Sequence, residues 1–197
     1  MDERAKRIVE TAVALAERDG FAAVRLRDVA ASANVALGTV YKRFASKEEI
    51  LIAALEQESD KLLSRVAKAP PPGETARARV DNLFSTFTRG MCRKPNLARA
   101  LIRSIASGDP NVTERVASFH AMITALTIAA IRGNAAQASA EWGGDVDREE
   151  REIAFLLHHV WFSSLVGWAG GLHEVDTIIA HVKTASKRLL PDSSADA

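Results

Sequence analysis

Thiols are scarce in this 197-residue chain, which has one cysteine, Cys92, and a net charge of only +1. A single thiol excludes an internal disulfide and any zinc site built from several thiolates, and it is typical of a reducing cytosol. A nearly neutral chain is also poorly suited to coating nucleic acid without sequence preference, because that mode of binding needs many phosphate contacts. The sequence has no phosphate-binding loop, dinucleotide fingerprint or nucleophile elbow, so catalysis is a weak alternative.

Strand patterns are absent from the sequence as well. Apolar residues recur at helical spacing along most of the chain, and no internal repeat is visible. The N-terminal segment is charged and lacks the apolar core of a signal peptide, which predicts a cytoplasmic protein. We expect an all-α fold of about nine helices. It would comprise an N-terminal domain at residues 1–50, a larger helical domain at residues 51–190 and a flexible tail at residues 191–197.

Two short helical patterns follow each other between residues 26 and 47. The first has apolar residues at i, i+3 and i+4, which form one buried face: Leu26, Val29 and Ala30. Asn34 tolerates the left-handed backbone of a tight junction. A second helix of about two turns then begins at Leu37, with Val40 and Phe44 pointing into the domain. This arrangement indicates a helix-turn-helix.

The outward face of the second helix has the chemistry of a DNA-reading surface. It presents apolar, hydroxyl, phenol and basic groups: Leu37, Gly38, Thr39, Tyr41, Lys42 and Arg43. Hydroxyls contact base edges, cations contact phosphates, and a glycine lets the backbone come close. Between residues 25 and 47 there are five basic residues against one acidic residue, so positive charge is concentrated at this motif.

Each of these residues also has a simpler interpretation. Tyr41 can be ordinary packing at a helix surface, and Lys42 with Arg43 can be a solvated face. Arg27 can pair with an acid such as Glu17. Thr39 is the exception, because a threonine within a helix loses propensity without any gain unless it makes a contact.

A long helix is predicted to start directly after the motif. Ser46, followed three residues later by Glu49, forms a capping box, and the apolar residues that follow keep to one side of the helix. Lys47 lies in the first turn. The backbone N–H groups of that turn and the Lys47 ammonium would therefore hold a phosphate together.

Residues 4 to 55 resemble the N-terminal domain of TetR-type transcriptional regulators. The resemblance lies in specific residues: Gly20 and Phe21 after the first helix, Val29 and Ala30, Val35, Gly38 to Tyr41, Phe44, and Ser46 to Glu48. It implies a set of DNA-contacting residues: Arg25, Arg27, Leu37, Gly38, Thr39, Tyr41, Lys42, Arg43 and Lys47. Arg25 departs from the family pattern because a threonine is common there, and Leu37 stands where some members have a polar base-reading residue. We therefore expect the operator sequence to be particular to this protein.

A long uncharged segment lies near the C-terminus, since no Asp, Glu, Lys or Arg occurs between Glu152 and Glu174. Its length suits a membrane span, but its histidines, serines and glycines favour a helix buried in protein. One small protomer cannot cover such a helix on both sides, so a homodimer is predicted. The expected interface, a four-helix bundle shared by two chains, contains small and apolar residues: Ser163, Gly167, Gly171, Val175, Ile178 and Val182. The TetR resemblance implies the same, because members usually dimerise through their last two helices.

The family resemblance also implies a small-molecule cavity among the middle helices. Its candidate lining is mostly apolar and is equally compatible with plain core: Phe84, Phe87, Met91, Leu101, Ile105, Phe119, Met122, Ile123, Leu126, Phe155, His158, Trp161 and Phe162. The stretch RKPNLARALIRSIASGDP and the closing helices resemble the sterol-catabolism repressors of the same family, whose effectors are bulky lipid-like CoA thioesters. This narrower resemblance implies a long apolar pocket, with Arg99 or Arg103 near an acidic head group or simply at the surface.

No cofactor or metal is predicted, since the adjacent His158 and His159 point about 100° apart on a helix. We predict a sequence-specific DNA-binding transcriptional regulator, and specifically a repressor released by a small hydrophobic or lipid-like effector. Its partners would be an inverted-repeat operator in double-stranded DNA and a second copy of the chain, with no membrane. The alternatives are an architectural DNA-binding protein without an effector and, less favoured, a helical enzyme.

Overall fold

The computed structural model describes residues 2–133 and 147–190, and all regular structure within them is helical. Nine α-helices lie in these ranges: α1 Glu3–Asp19, α2 Leu26–Ser32, α3 Leu37–Tyr41, α4 Lys47–Lys68, α5 Ala76–Cys92, α6 Pro95–Ile105, α7 Thr113–Arg132, α8 Arg148–Ala169 and α9 Val175–Leu189. Short 3₁₀ turns lie at Phe21–Ala23 and Pro110–Val112. The all-α prediction is confirmed, and the predicted tail at residues 191–197 lies outside the described residues.

The chain divides into two compact units. The first contains residues 2–59 and 93–118, and the second contains residues 60–92, 119–133 and 147–190. The helix-turn-helix pattern and α6 therefore belong to the first unit, whereas α5, α8 and α9 belong to the second.

The first unit is built around α1. Asp2 caps this helix by accepting the N–H of Ala5 at 2.9 Å, and Gly20, at φ +78°, ends it. The inner face of α1 packs against α2 and α6 through small and branched side chains that are at most 1% exposed: Ile8, Val9, Ala12 and Ala16. Small residues at the contact let the short helices of the motif lie close to α1.

Polar contacts hold α6 against the end of α1. Asn96 Nδ2 donates to the carbonyls of Glu17 and Arg18, at 3.2 and 3.3 Å, and so satisfies two acceptors in the last turn of α1. Lys94 Nζ lies 2.7 Å from Glu17 Oε2, but both side chains are largely exposed. Such a surface ion pair contributes at most about 1 kcal/mol, so the capping contacts matter more.

The first unit also joins the start of α7 to α4. Arg115 Nε and Nη2 each lie 2.6 Å from a carboxylate oxygen of Glu56, in a bidentate pair. Its Nη1 donates to the Glu49 carbonyl at 3.4 Å. The guanidinium is thus fixed in one orientation on the first turns of α4.

Trp161 of α8 lies at the centre of the second unit, where α5 and α8 each pack an aromatic face. Its ring is 1% exposed and its centroid is 5.6 Å from that of Phe84. The indole Nε1 donates to Thr88 Oγ1 at 2.9 Å. A buried N–H without an acceptor would cost about 1–3 kcal/mol, so Thr88 is what makes a tryptophan tolerable here.

Arg79 of α5 caps the C-terminus of α7. Its Nε and Nη2 donate to the carbonyls of Ala130 and Ile131, both at 2.7 Å, and its Nη1 donates to those of Gly73 and Glu74. A cation at this end of a helix also complements the helix dipole.

The turn between α8 and α9 is a Schellman motif. Leu172 N–H donates to the Gly167 carbonyl and Gly171 N–H donates to the Trp168 carbonyl, both at 2.9 Å, and Gly171 has φ +81°. The left-handed glycine lets the chain reverse, and α9 then packs along α8 and α5.

Among the described residues, one helical segment, Pro110–Arg132, is long and apolar enough to cross a membrane, and 44% of its apolar window is buried inside the protein. Core helices of soluble proteins pass the same test, so this is weak evidence for a span.

Candidate nucleic-acid interface

The junction of the helix-turn-helix has the geometry that its sequence predicts. Asn34 has φ +51°, in the left-handed region, and Val29 and Ala30 are buried beneath it. α3 contains only five residues, Leu37–Tyr41, and is shorter than the two turns predicted. The helical path nevertheless continues to Phe44, whose N–H donates to the Val40 carbonyl at 2.9 Å. Val40 and Phe44 are buried, as predicted.

The outer side of α3 presents an exposed aromatic side chain beside a glycine. Tyr41 is 59% exposed, although a tyrosine ring usually finds apolar cover. Gly38 is exposed, and a Cβ added there would meet no atom within 4 Å. Among the residues that the structure describes, no contact explains a glycine in this helix, which costs about 1 kcal/mol relative to alanine. A glycine at this position is therefore compatible with the close approach of another molecule.

A depression of about 480 Å³ opens beside α3. Five of the predicted DNA-contacting residues line it: Arg25, Arg27, Leu37, Tyr41 and Lys47. The rest of the lining is Val24, Leu26, Ala45, Ser46 and Glu48. Gly38 and Lys42 are exposed, whereas Thr39 and Arg43 are half-buried. The fold thus brings cations from before α2 and from the start of α4 to the same surface as the aromatic ring of α3.

Arg43 has an acidic partner that the sequence pattern did not indicate. Its Nη2 pairs with Asp2 Oδ2, while the other oxygen of Asp2 caps α1. The Ala5 N–H, and next the Arg43 guanidinium, hold the pKa of Asp2 below its ordinary value. Part of the positive charge predicted for α3 is therefore offset by the N-terminal segment.

The start of α4 forms the predicted cap with one difference. Ser46 Oγ accepts the Glu49 N–H at 3.1 Å, but the Glu49 carboxylate accepts the Ala45 N–H at 2.6 Å rather than that of Ser46. Ser46 Oγ in turn donates to Asp109 Oδ2 at 2.8 Å. The Asn111 N–H and the Ser46 hydroxyl lower the pKa of Asp109. Asp109, far away in sequence, thus fixes the cap residue of the helix that carries Lys47.

Lys47 and Arg103 share one aromatic ring. The Lys47 Nζ lies 3.8 Å from the centroid of Phe21, and the Arg103 Cζ lies 4.5 Å from it. Arg103, one candidate for an effector head group, is therefore engaged with Phe21 in the first unit.

The candidate effector residues fall into both units. Leu101 and Ile105 are buried in the first unit. In the second unit, seven are buried and three are half-buried: Phe84, Phe87, Phe119, Ile123, Leu126, His158 and Trp161, with Met91, Met122 and Phe162. Phe155 requires a correction, because its side chain is 53% exposed and its ring lies against His159 on the outside of α8. Leu157 and Trp161 occupy the inner face of that helix instead.

A histidine pair bridges α7 and α8 inside the second unit, which the sequence pattern did not indicate. His120 Nδ1 and His158 Nε2 are 3.0 Å apart, and the Phe162 ring lies edge-on to His120. Burial, and next the neighbouring imidazoles of His120 and His159, lower the pKa of His158 to about 3. Burial also lowers the pKa of His120. Both imidazoles are therefore neutral near pH 7, and one donates to the other.

The predicted row of small interface residues requires a correction too. Gly167 is buried within the protomer, where an added Cβ would lie 2.6 Å from His173 Cε1. Gly171 follows the end of α8, so it does not continue a helical row. Ile178 and Val182 are at most 1% exposed because α9 packs on its own protomer. Only Ser163 of the row is exposed on α8, and Val175 is half-buried.

A different face of α8 is mostly apolar and is exposed in the protomer, with His159 as a polar residue beside Phe155. Phe155, Leu156 and Val166 are 53%, 46% and 42% exposed. Because successive helical residues are about 100° apart, these three and Ser163 lie within one third of the helix circumference. We call this set, Phe155, Leu156, Ser163 and Val166, the outer face of α8.

A helical fold with a left-handed junction between two short helices, with an exposed aromatic group on the second helix and basic groups beside it, defines a helix-turn-helix DNA-binding protein. Comparison with known proteins makes this more specific. The family model described as bacterial regulatory proteins, tetR family, matches residues 8–54, and that described as tetracyclin repressor-like, C-terminal domain, matches residues 73–189.

Curated relatives agree. The chain is 30% identical over 192 residues to the HTH-type transcriptional repressor KstR of Rhodococcus jostii, covering 98% of this chain and 85% of the relative. It is 26% identical over 193 residues to KstR of Mycobacterium tuberculosis, covering 98% and 83%. The chain therefore belongs to the TetR family and is a DNA-binding transcriptional regulator, not an enzyme. The family predicted from residues 4 to 55 is confirmed.

Solved structures share the fold. A TetR transcriptional regulator from Rhodococcus sp. RHA1 superposes with a TM-score of 0.76 at 26% identity, covering 97% of both chains. FadR of Thermus thermophilus, in complex with lauroyl-CoA, superposes with a TM-score of 0.72 at 19% identity, covering 98% of both chains.

Proposed function

We propose that the protein represses transcription by binding an inverted-repeat operator as a homodimer, and that a lipid-like CoA thioester releases it. The observation that carries the DNA-binding part is the exposed side of α3, where Tyr41 and the unexplained Gly38 adjoin a basic depression. Such a protein acts in the cytoplasm, where the chromosome is.

The residues on this surface have distinct roles in the proposal. Thr39 and Tyr41 contact base edges, Leu37 contacts a thymine methyl, and Gly38 lets the backbone of α3 come close to the groove. Arg25, Arg27, Lys42 and Lys47 contact phosphates and fix the register of the helix. Arg43 contributes less, because Asp2 already offsets its charge.

The outer face of α8 is the proposed dimer contact. It replaces the predicted row at Gly167, Ile178 and Val182. The side chains of Ile178 and Val182 are buried within their own protomer, and His173 of the same protomer lies against Gly167. In a symmetric dimer the two recognition helices must match half-sites about 34 Å apart, so an effector that changes this spacing weakens both contacts together.

The effector class is supported by the relatives. The C-terminal half resembles the sterol-catabolism repressors of the family, the chain is similar to the repressor KstR over nearly its whole length, and two FadR structures of similar fold contain lauroyl-CoA and stearoyl-CoA. The aromatic and aliphatic residues of α5, α7 and α8 are the candidate lining for the apolar part of such a molecule. The His120–His158 pair is a neutral polar group among them.

The test is selection of bound fragments from a pool of random duplex DNA, followed by anisotropy titration of the enriched duplex. We expect an inverted repeat, and we expect a scrambled half-site to weaken binding by at least about tenfold, since each mismatched pair costs about 1–3 kcal/mol. Binding without any enriched sequence would support the architectural alternative instead.

The effector is tested on the same complex. Stearoyl-CoA and the steroid thioester cholyl-CoA are added to it, with CoA alone as control. If neither thioester releases the protein from DNA, the proposed effector class is wrong.

A further inference from the structure

The Phe21 ring collects two cations from two separate elements. Lys47 is the first residue of α4 and Arg103 lies on α6, yet both charged groups lie over the ring that follows α1, at 3.8 and 4.5 Å from its centroid. All three residues belong to the first unit. In the part of the chain that the structure describes, neither cation forms an ion pair with a carboxylate.

An aromatic face holds an ammonium group in a way that suits phosphate binding. A carboxylate would also fix the Lys47 side chain, but it would cancel the charge and repel a phosphate. The ring attracts the cation through its quadrupole and leaves the full charge in place. A flexible lysine otherwise loses rotamer entropy when it binds, so a lysine that is already oriented binds a phosphate more tightly.

We propose that Phe21 is a positioning residue that aims the Lys47 ammonium at an operator phosphate. This rests on the proposed function, in which Lys47 is a phosphate contact. Lys47 lines the depression beside α3, whereas Phe21 does not, so the ring acts on DNA binding through the lysine. Arg103 places a second charge, also without a carboxylate partner among the described residues, over the same ring. A ring that holds two cations acts as a cation-binding surface and not only as a packing group.

The experiment is a double-mutant cycle on full-length protein with its selected operator. Phe21→Leu keeps the apolar bulk but removes the quadrupole, and it should weaken binding about two- to fivefold per protomer. Phe21→Tyr should restore binding to within about twofold because the ring is retained. Lys47→Met should lower the slope of log affinity against log salt by about one per protomer. In the Lys47→Met background, Phe21→Leu should then have no further effect.

An equal loss from Phe21→Leu with and without Lys47 would overturn the proposal, because it would indicate a packing role. So would unchanged binding of Phe21→Leu in a protein whose Lys47→Met variant is impaired, and in that case the proposed function would stand. Absence of any operator binding by the unmodified chain would instead reject the proposed function. A second readout needs no DNA: the Lys47 ε-methylene protons should show an upfield ring-current shift in NMR that disappears in Phe21→Leu, and its absence would refute the geometry.

Discussion

Gly38 lies in α3, and no atom of the described residues would come within 4 Å of a Cβ added to it, so a methyl group fits there. Gly38→Ala should therefore stabilise the free protein by about 0.5–1 kcal/mol, because alanine loses less entropy in a helix. The same methyl should weaken operator binding, since it would project toward the groove. The measurements are urea unfolding and operator titration.

Gly90 offers a matched control for this prediction. It lies in α5 of the second unit, is exposed, and also has no atom within 4 Å of an added Cβ. Gly90→Ala should give a similar gain in stability and leave operator affinity unchanged. If both variants bind DNA equally well, Gly38 is not a point of close approach.

The ion pair between Asp2 and Arg43 gives a second prediction for single residues. Asp2→Asn should keep the cap of α1, since asparagine is as good an N-cap residue as aspartate, while it frees the Arg43 guanidinium. We expect tighter operator binding and a salt slope that is steeper by about one per protomer. Glu3→Gln removes the same charge from the same turn without touching Arg43, so it should leave the slope unchanged. A slope that is identical in both variants would show that Arg43 does not reach a phosphate.

At the scale of elements, the histidine pair between α7 and α8 makes stability depend on pH. The pKa of His158 falls from 6.5 to about 3 on folding, so between these values the unfolded chain binds more protons than the folded one. The free energy of unfolding is therefore highest above pH 6.5 and decreases as the pH falls below that value. The decrease is up to about 1.4 kcal/mol per pH unit for each histidine of the pair. The free energy of unfolding, measured from pH 7 to pH 4.5, checks this.

His158→Gln should flatten that loss, because the group that takes up a proton on unfolding is gone. His181→Gln removes an exposed histidine of the same unit and is the control for the loss of an imidazole as such. If the free energy of unfolding depends on pH equally in the two variants, the buried pair does not cause the loss of stability in acid.

The same elements show what a sequence can predict here. The cap at Ser46, the turn at Asn34 and the buried Val40 and Phe44 follow from local spacing and propensity, and they are all found. The His120–His158 contact and the Ser46–Asp109 bond join residues 38 and 63 positions apart, so no local pattern encodes them. The error at Phe155 has a related cause, because α8 is apolar on most sides and periodicity alone does not identify its inner face.

At the scale of the whole molecule, dimerisation connects the two proposed activities, which are operator binding and the response to an effector. A repressor that reads two half-sites loses most of its affinity as a monomer, since the second contact is no longer intramolecular. Where the two chains meet therefore decides whether an event in the second unit can affect DNA binding.

The outer face of α8 can be tested with one charge. Val166→Glu should shift the protein from dimer toward monomer in sedimentation velocity, because a carboxylate buried at an apolar contact costs several kcal/mol when unpaired. Val166 is 42% exposed in the protomer, so the substitution should leave protomer folding intact, unlike a side chain added at Gly167, which would collide with His173. Thr86→Glu places the same charge on an exposed position of α5 and should remain dimeric. If the Val166→Glu protein stays fully dimeric and binds the operator normally, the dimer contact lies elsewhere. If it is monomeric and its operator affinity is reduced by about a hundredfold or more, this face is required for DNA binding.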